Sequence, residues 1–454
     1  MGWEYSLDDL ARFTGAEPAA AEDRFCRVTT DSRVPQEGAV FFALKGERFD
    51  GDDFVDAALE NGAVAAVAPS DHNHPRCLVA PDPLEALQSF AAAHRLSCPA
   101  PVFAITGSCG KTTAKDLTAA VLGAGRKVVK TRGNLNNEIG TPLSLLEMDG
   151  DTDFGVFELG ANHSGEIARM CHWVKPRESA ITMIAPAHLE GFGSVDAVAQ
   201  AKGEIVAALP SDGVFYANAG DPRCAALARR HPGEVIWFGP AGSAPEGSRS
   251  VTLQRLERTD EGHVLHIDPV GPLRLPMLCP AHAVNVLLAV AVGLRHGADA
   301  FEAPLREALQ SASRFQLLRI GPLEVLDDAY NANPASVAAA LEALAARGGD
   351  GVPRIAALGD MLELGPGAAD FHRAAGHQAA EAGVTHLFAL GTFASALAEG
   401  AREGGVPHAA VAEDHQAITE AVSALAEEGG VLLLKGSRGM RMETIIGQLK
   451  ERFA

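Results

Sequence analysis

The chain has 454 residues, 47% hydrophobic and 21% charged, with a formal net charge of -20. That length exceeds one ordinary core and predicts about three domains, since a domain usually holds roughly 100–200 residues. The balance excludes a disordered chain. The acidic excess excludes a general nucleic-acid or anionic-membrane surface, which needs clustered Lys and Arg to neutralise phosphates.

The opening residues carry neither the basic segment nor the apolar run of a signal peptide, and no uninterrupted apolar span reaches membrane length. A cytoplasmic protein without stable membrane insertion is expected. The seven cysteines are scattered, with no Cys-x-x-Cys pair, so neither a zinc site nor a disulfide framework is indicated. Residues 1–98 contain strand-like runs at 38–44 and 63–68, separated by a helix-like stretch at 52–61, and read as a small α/β unit. The turn-rich break at 97–101 opens a second unit, 99–312. There, strands at 102–106, 153–159, 180–184 and 214–217 alternate with helices that include 111–122 and 196–209. Apolar strands alternating with helices predict a mainly parallel sheet covered on both faces. Beyond a helix-like stretch at 301–312, a third unit, 313–454, places strands at 323–327, 354–358, 386–390 and 431–434 among Ala-rich helices and reads as doubly wound and Rossmann-like. The expected fold class is α/β in three domains.

The sharpest local signal lies where the strand at 102–106 runs into Gly107, Ser108, Cys109, Gly110, Lys111, Thr112 and Thr113 and then a helix. Gly107 and Gly110 permit tight curvature, backbone amides at a helix start attract anions, Lys111 reaches terminal phosphates, and a Thr hydroxyl can bind magnesium. The strict nucleotide-loop spacing would put glycine at 105, where this chain has Ile105. The loop is therefore a variant.

The same variant loop is followed by Gly-Asn-Leu-Asn-Asn-Glu-Ile-Gly-Thr-Pro at 133–142, Glu-Leu-Gly-Ala-Asn-His at 158–163, Ala-His-Leu-Glu-Gly at 187–191, Ala-Lys-Gly-Glu-Ile at 201–205 and His-Ala-Val-Asn at 282–285. Further along stand Asp-Asp-Ala-Tyr-Asn-Ala-Asn-Pro at 327–334, Leu-Gly-Asp-Met-Leu-Glu-Leu-Gly at 358–365 and Lys-Gly-Ser-Arg-Gly-Met at 435–440. This order resembles the Mur ligase family over the whole chain, and its last three segments resemble the D-alanyl-D-alanine-adding branch. The resemblance implies an amino-terminal UDP-sugar domain, a central P-loop ATPase domain and a carboxy-terminal domain that closes over both. The implied reaction uses ATP and magnesium to join D-alanyl-D-alanine to UDP-N-acetylmuramoyl-tripeptide through an acyl phosphate, releasing ADP and phosphate.

Residue roles follow from the same resemblance. Lys111, Glu158, His188 and Lys202 are the expected catalytic set, with Thr112, Glu158, His188 and Lys202 around magnesium and Lys202 carbamylated into an anionic oxygen ligand. Asn285 reads adenine, while Arg314, Asp328, Asn331 and Asn333 reach the nucleotide when the last domain closes. Ser32, Arg33 and Lys45 contact the UDP part of the acceptor, and Asn134, Asn136 and Asn137 its remainder. Asp360, Glu363, Lys435 and Arg438 fall near the amine substrate or the closing interface. Taken singly, each has an ordinary reading: a solvated strand-end carboxylate for Glu158, an exposed helical lysine for Lys202, a charged turn for Ser32, Arg33 and Lys45. A monomer is expected. The alternatives are another Mur-type or folylpolyglutamate-type amide ligase, or a nucleotide switch without turnover.

Overall fold

The computed structural model describes residues 2–17, 23–46, 48–311, 314–349, 351–426 and 429–453. Glu47 and the expected domain boundary between 312 and 313 lie outside the described residues. The main chain forms a four-stranded parallel sheet near the amino terminus, a nine-stranded sheet in the middle and a six-stranded sheet at the carboxy end.

The first sheet orders Arg27–Thr29, Ala39–Phe42, Ala65–Ala68 and Cys77–Val79, all parallel. The expected helix at 52–61 is a 3-10 turn, Gly51–Phe54, leading into Val55–Glu60. The helix Pro83–Ser97 starts where the Asp82 carboxylate accepts the amides of Leu84 and Glu85, with proline at the first turn as caps favour. It ends by joining two units. The buried Arg95 guanidinium donates to the carbonyls of Val174 (3.0 Å), Cys98 (2.6 Å) and Ala100 (3.0 Å). The turn-rich break at 97–101 is therefore pinned, because a buried cation persists only when its donors are satisfied.

In the central sheet, Val102–Thr106 lies between Phe154–Glu158 and Glu178–Ile181, parallel to both. All five of its residues are buried. With a period of two, Val102 and Ala104 face the core that contains Phe90, Ile167 and Val198, while Phe103 and Ile105 face Leu117, Val286 and Leu288. The helix Lys111–Leu122 packs with Ala283–Arg295 on that second face. Each fully buried aliphatic side chain stabilises the assembly by about 1.5–3 kcal/mol.

Two differences from the sequence reading have physical causes. The strand expected at 180–184 ends at Ile181, because the Met183 carbonyl accepts from Ser108 and the Ile184 amide donates to Asp221 instead of continuing the ladder. The segment 250–275 forms an antiparallel ribbon, Ser250–Thr259, Gly262–Asp268 and Gly271–Leu275, that extends the sheet. Its polar, half-exposed strands carry little apolar signal. The ribbon's outer edge is covered: the Arg274 amide donates to Glu302 and its carbonyl accepts from Arg306.

The third sheet runs Leu323–Asp328, Gly430–Lys435, Arg354–Gly359, His386–Leu390 and His408–Val411 in parallel, with Gln316–Ile320 antiparallel at one edge. Cys279 and Leu278, from the segment before the helix Ala283–Arg295, pack into the core of this third unit. Among the described residues no helix is long and apolar enough to cross a membrane.

Candidate active site

Strand order switches sides at Val102–Thr106: the next two strands are added on one side of it and the later ones on the other. The carboxyl end of such a strand opens a crevice, which is where ligands bind in open α/β sheets. Gly107 follows with φ 151° and Gly110 with φ 82°, both conformations that suit glycine. A methyl group at Gly107 would stand 1.9 Å from Thr182 Oγ1, and one at Gly110 2.7 Å from Asn285 Oδ1, so both glycines are also required for close approach.

Neighbouring strand ends clamp the loop. Thr106 Oγ1 donates to the Leu159 carbonyl (2.7 Å), Thr182 Oγ1 to the Cys109 carbonyl (2.6 Å) and Ser108 Oγ to the Ala185 carbonyl (2.8 Å). Lys111 Nζ folds back onto the Gly107 carbonyl at 2.9 Å. The helix Lys111–Leu122 begins at Gly110 with no side-chain cap, leaving its first amides and positive dipole end to an external anion.

Glu158 ends the next strand with 1% of its surface exposed. One carboxylate oxygen accepts from Asn136 Nδ2 at 2.7 Å; the other is buried without a hydrogen-bond partner. An orphaned carboxylate oxygen beside a phosphate-type loop is a position a divalent cation would satisfy. Among the described residues no group of three or more His, Cys, Asp or Glu side chains could hold a metal alone. That donor set fits magnesium, which usually takes one or two carboxylates plus phosphate oxygens and water.

His188 is held at φ 52° just before the short helix Leu189–Phe192. Burial lowers its pKa, partly opposed by Glu363, whose carboxylate accepts from His188 Nδ1 at 2.5 Å. Lys202, on the helix Val195–Ala207, has 1% of its surface exposed. Its ammonium makes no hydrogen bond or ion pair among the described residues, and it lies 5.9 Å from the centroid of the Phe192 ring. Burial, reinforced by the charge of Lys111, pulls its pKa down to about 7. A lysine so placed supplies a neutral amine at physiological pH, the form that reacts with carbon dioxide.

A cavity of about 620 Å³ joins these elements to the third unit. From the central unit it is lined by the loop from Ser108 to Thr113, by Asn134, Asn136 and Asn137, and by Glu158, His188 and Asn285. The third unit contributes Arg314, Asp328, Asn331 and Asn333. Asn333 caps the helix Pro334–Ala345 through its side-chain oxygen and donates from Nδ2 to the Ser108 carbonyl across the cavity, at 3.1 Å. Asp328 pairs with the buried Lys435, which also donates to the Asn331 carbonyl at 2.9 Å. Burial raises the Asp328 pKa and Lys435 works against that rise. Tyr330 lies beneath the Arg314 guanidinium, with Arg438 at 5.8 Å.

Other expected site residues lie outside this cavity. Gly107 and Lys202 are not among the residues that line it. Ser32, Arg33 and Lys45 sit on loops of the first sheet, where Arg33 pairs with Asp31 (2.8 Å) and Lys45 with Asp50 (3.1 Å). Asp360 is turned inward, its carboxylate accepting the amides of Thr392 (2.7 Å) and Phe393 (3.0 Å), which anchors the loop before the helix Ala394–Gly404. Sequence reasoning did not single out Thr182, Met183 or Ala185, which hold the loop in shape. Their only signal is position just past a strand end.

The likeness of this arrangement to known proteins covers nearly the whole chain. Family models match residues 25–95 (Mur ligase family, catalytic domain), 105–293 (Mur ligase middle domain) and 313–438 (Mur ligase, glutamate ligase domain). The UDP-N-acetylmuramoyl-tripeptide--D-alanyl-D-alanine ligase of Escherichia coli is 35% identical over 456 residues, covering 98% of both chains. A crystal structure of MurF from Acinetobacter baumannii superposes with TM-score 0.88 at 30% identity, covering 99% of each chain. The MurF ligase of Thermotoga maritima in complex with ADP superposes with TM-score 0.80 at 26% identity, covering 94% of this chain and 97% of that one. With three matched domain models in order, a relative this similar end to end and the phosphate-loop cavity between two α/β units, this chain belongs to the Mur ligase family.

Proposed function

We propose that the chain joins D-alanyl-D-alanine to UDP-N-acetylmuramoyl-tripeptide at the expense of ATP. The observation that carries the reading is the meeting, in one cavity, of Lys111 on a clamped phosphate-type loop with a buried carboxylate whose second oxygen has no partner. The full-length similarity to the named ligases supports the choice of substrates.

A carboxylate does not accept an amine at neutral pH, because oxide is a poor leaving group. Phosphoryl transfer from ATP converts that oxygen into one, giving an acyl phosphate and ADP; the dipeptide amine then attacks and phosphate leaves. Most of the catalytic work is charge compensation and alignment. The loop amides at 107–113 and Lys111 receive the β- and γ-phosphates, and Asn285 meets the adenine. Thr112 and Glu158 would hold one magnesium ion, and His188 with a carbamylated Lys202 a second. Magnesium, when bound, neutralises phosphate charge.

Carbamylation suits Lys202 because a neutral buried amine adds carbon dioxide and releases a proton, replacing an unpaired cation with an anion beside Lys111. Arg314, Asp328, Asn331 and Asn333 complete the nucleotide site from the closing unit. Asn134, Asn136 and Asn137 orient the acceptor, whose uridine diphosphate reaches Ser32, Arg33 and Lys45. The domain limits proposed are 1–98, 99–312 and 313–454, and the protein acts as a cytoplasmic monomer.

The test is ATP-dependent phosphate release with UDP-N-acetylmuramoyl-tripeptide, comparing D-alanyl-D-alanine, meso-diaminopimelate, L-lysine and no amine, with product mass confirmed. Release and a pentapeptide product with the dipeptide alone is the expected result. Nucleotide binding without substrate-dependent release would replace this reading with a switch.

A further inference from the structure

We propose that Glu363 is the positioning residue for His188, delivered across the domain interface, so that His188 is oriented for its task only when the carboxy-terminal unit is closed. The inference rests on the reading of His188 as a magnesium ligand and goes beyond it by naming what sets the imidazole.

Glu363 lies in the loop after the strand Arg354–Gly359, 175 residues from His188 in the chain. Three contacts fasten that loop to the turn at 188–191. The Glu363 carboxylate accepts from His188 Nδ1, the Glu363 carbonyl accepts from the Glu190 amide at 3.0 Å, and Gly365 lies alongside the Glu190 backbone, where an added methyl group would make an ordinary van der Waals contact at 3.7 Å. Both pinned residues hold left-handed backbone, φ 61° at Glu363 and φ 52° at His188. Such conformations cost about 1–3 kcal/mol each in a residue with a side chain and persist where surroundings over-determine them. His188 is held both by its own turn, where its carbonyl accepts from the Gly191 and Phe192 amides, and by Glu363 across the interface.

The chemistry points one way. A carboxylate accepts, so His188 Nδ1 carries the proton and Nε2 keeps its lone pair, the tautomer a metal requires. Ligating histidines almost always donate their other N–H to a carboxylate, carbonyl or water, and losing that partner typically costs about 10–100-fold in metal affinity or activity. Here that partner is a carboxylate of the carboxy-terminal unit. Phosphoryl transfer would thereby be withheld until the unit that carries the amine substrate has arrived, which protects ATP from idle hydrolysis.

The experiment uses the full chain with ADP, UDP-N-acetylmuramoyl-tripeptide and Mn²⁺, with Mn²⁺ affinity read by electron paramagnetic resonance and compactness by small-angle scattering. The variants are Glu363→Ala, Glu363→Gln, His188→Ala and the double variant His188→Ala with Glu363→Ala. Expected are a weakening of the His188-dependent Mn²⁺ site by about 10–100-fold in Glu363→Ala, partial recovery in Glu363→Gln because its amide oxygen still accepts Nδ1–H, and no added loss in the double variant over His188→Ala. A Glu363→Ala protein that opens in scattering yet binds Mn²⁺ as tightly as wild type overturns the proposal and leaves the site reading intact. Absence of any His188-dependent Mn²⁺ site in the wild type overturns the reading of His188 and this inference with it.

Discussion

Glu158 and Lys202 in the central region each expose 1% of their surface, whereas the side chains of Arg33 and Lys45 in the amino-terminal region expose 87% and 82%. The buried pair lacks what burial normally demands: among the described residues one Glu158 carboxylate oxygen has no hydrogen-bond partner, and the Lys202 ammonium makes no ion pair, with Glu204 offsetting only part of the cost of its burial. The exposed pair is hydrated and bound to its own neighbours, Asp31 and Asp50. An uncompensated buried charge is costly, while an exposed ion pair contributes about 0–1 kcal/mol. On the proposed reading, a charged ligand would relieve the buried groups of the central region, whereas the amino-terminal loops would only exchange weak local pairs for a substrate phosphate.

That contrast can be broken by measurement, beginning with the largest expected effect. Lys111→Ala should reduce turnover by at least about 10³-fold while leaving the melting temperature within about 2 °C, because among the described residues its ammonium hydrogen-bonds only the Gly107 carbonyl. A large loss of stability in thermal unfolding would mean that the loop, and not the phosphate, needs the lysine. Lys202→Ala should cost about 10²-fold in turnover. Added short carboxylates should partly restore it if a carbamate is the missing group, and kinetics with and without formate or acetate decide this.

Lys202→Met should raise stability at neutral pH. The folded-state pKa is depressed from 10.5 to about 7. Between those values the unfolded chain binds a proton that the folded chain does not, so stability rises with pH across that window and carries its full penalty below about 7. Melting curves from pH 6.5 to 9.5 should show a rise for the unmodified wild type and a flatter line for Lys202→Met, at roughly 2–4 °C per kcal/mol. Equal slopes would show that Lys202 is charge-compensated in solution. The smallest effect belongs to the exposed region: Arg33→Ala should raise KM for the UDP-linked acceptor about 3–10-fold with kcat unchanged, as expected for an interaction equal in ground and transition states. An unchanged KM would remove Arg33 from the site.

The same contrast explains what could be read beforehand. Strand Val102–Thr106 and helix Lys111–Leu122 match the sequence reading residue for residue, since four apolar residues in a row, a glycine turn and a helical period are local signals. The ribbon at 250–275 escaped it, because residues such as Gln254, Arg255 and Glu257 face water on one side of an added edge. Asp360 was placed near the amine substrate on motif grounds, and only the fold shows its carboxylate spent on the Thr392 and Phe393 amides.

By itself the amino-acid sequence determined three α/β units, a variant phosphate loop between strand and helix, and membership in the Mur ligase family, with Lys111, Glu158, His188 and Lys202 as the proposed catalytic set. Each depends on residue type and spacing within a few turns or on motif order. Tertiary structure alone decided that the third unit closes the cavity through Asn333 on Ser108, that Glu363 meets His188 and that Lys202 is buried with 1% of its surface exposed. Those facts depend on which distant segments share a small volume, and no local pattern encodes the dielectric or the partner that a folded neighbour provides.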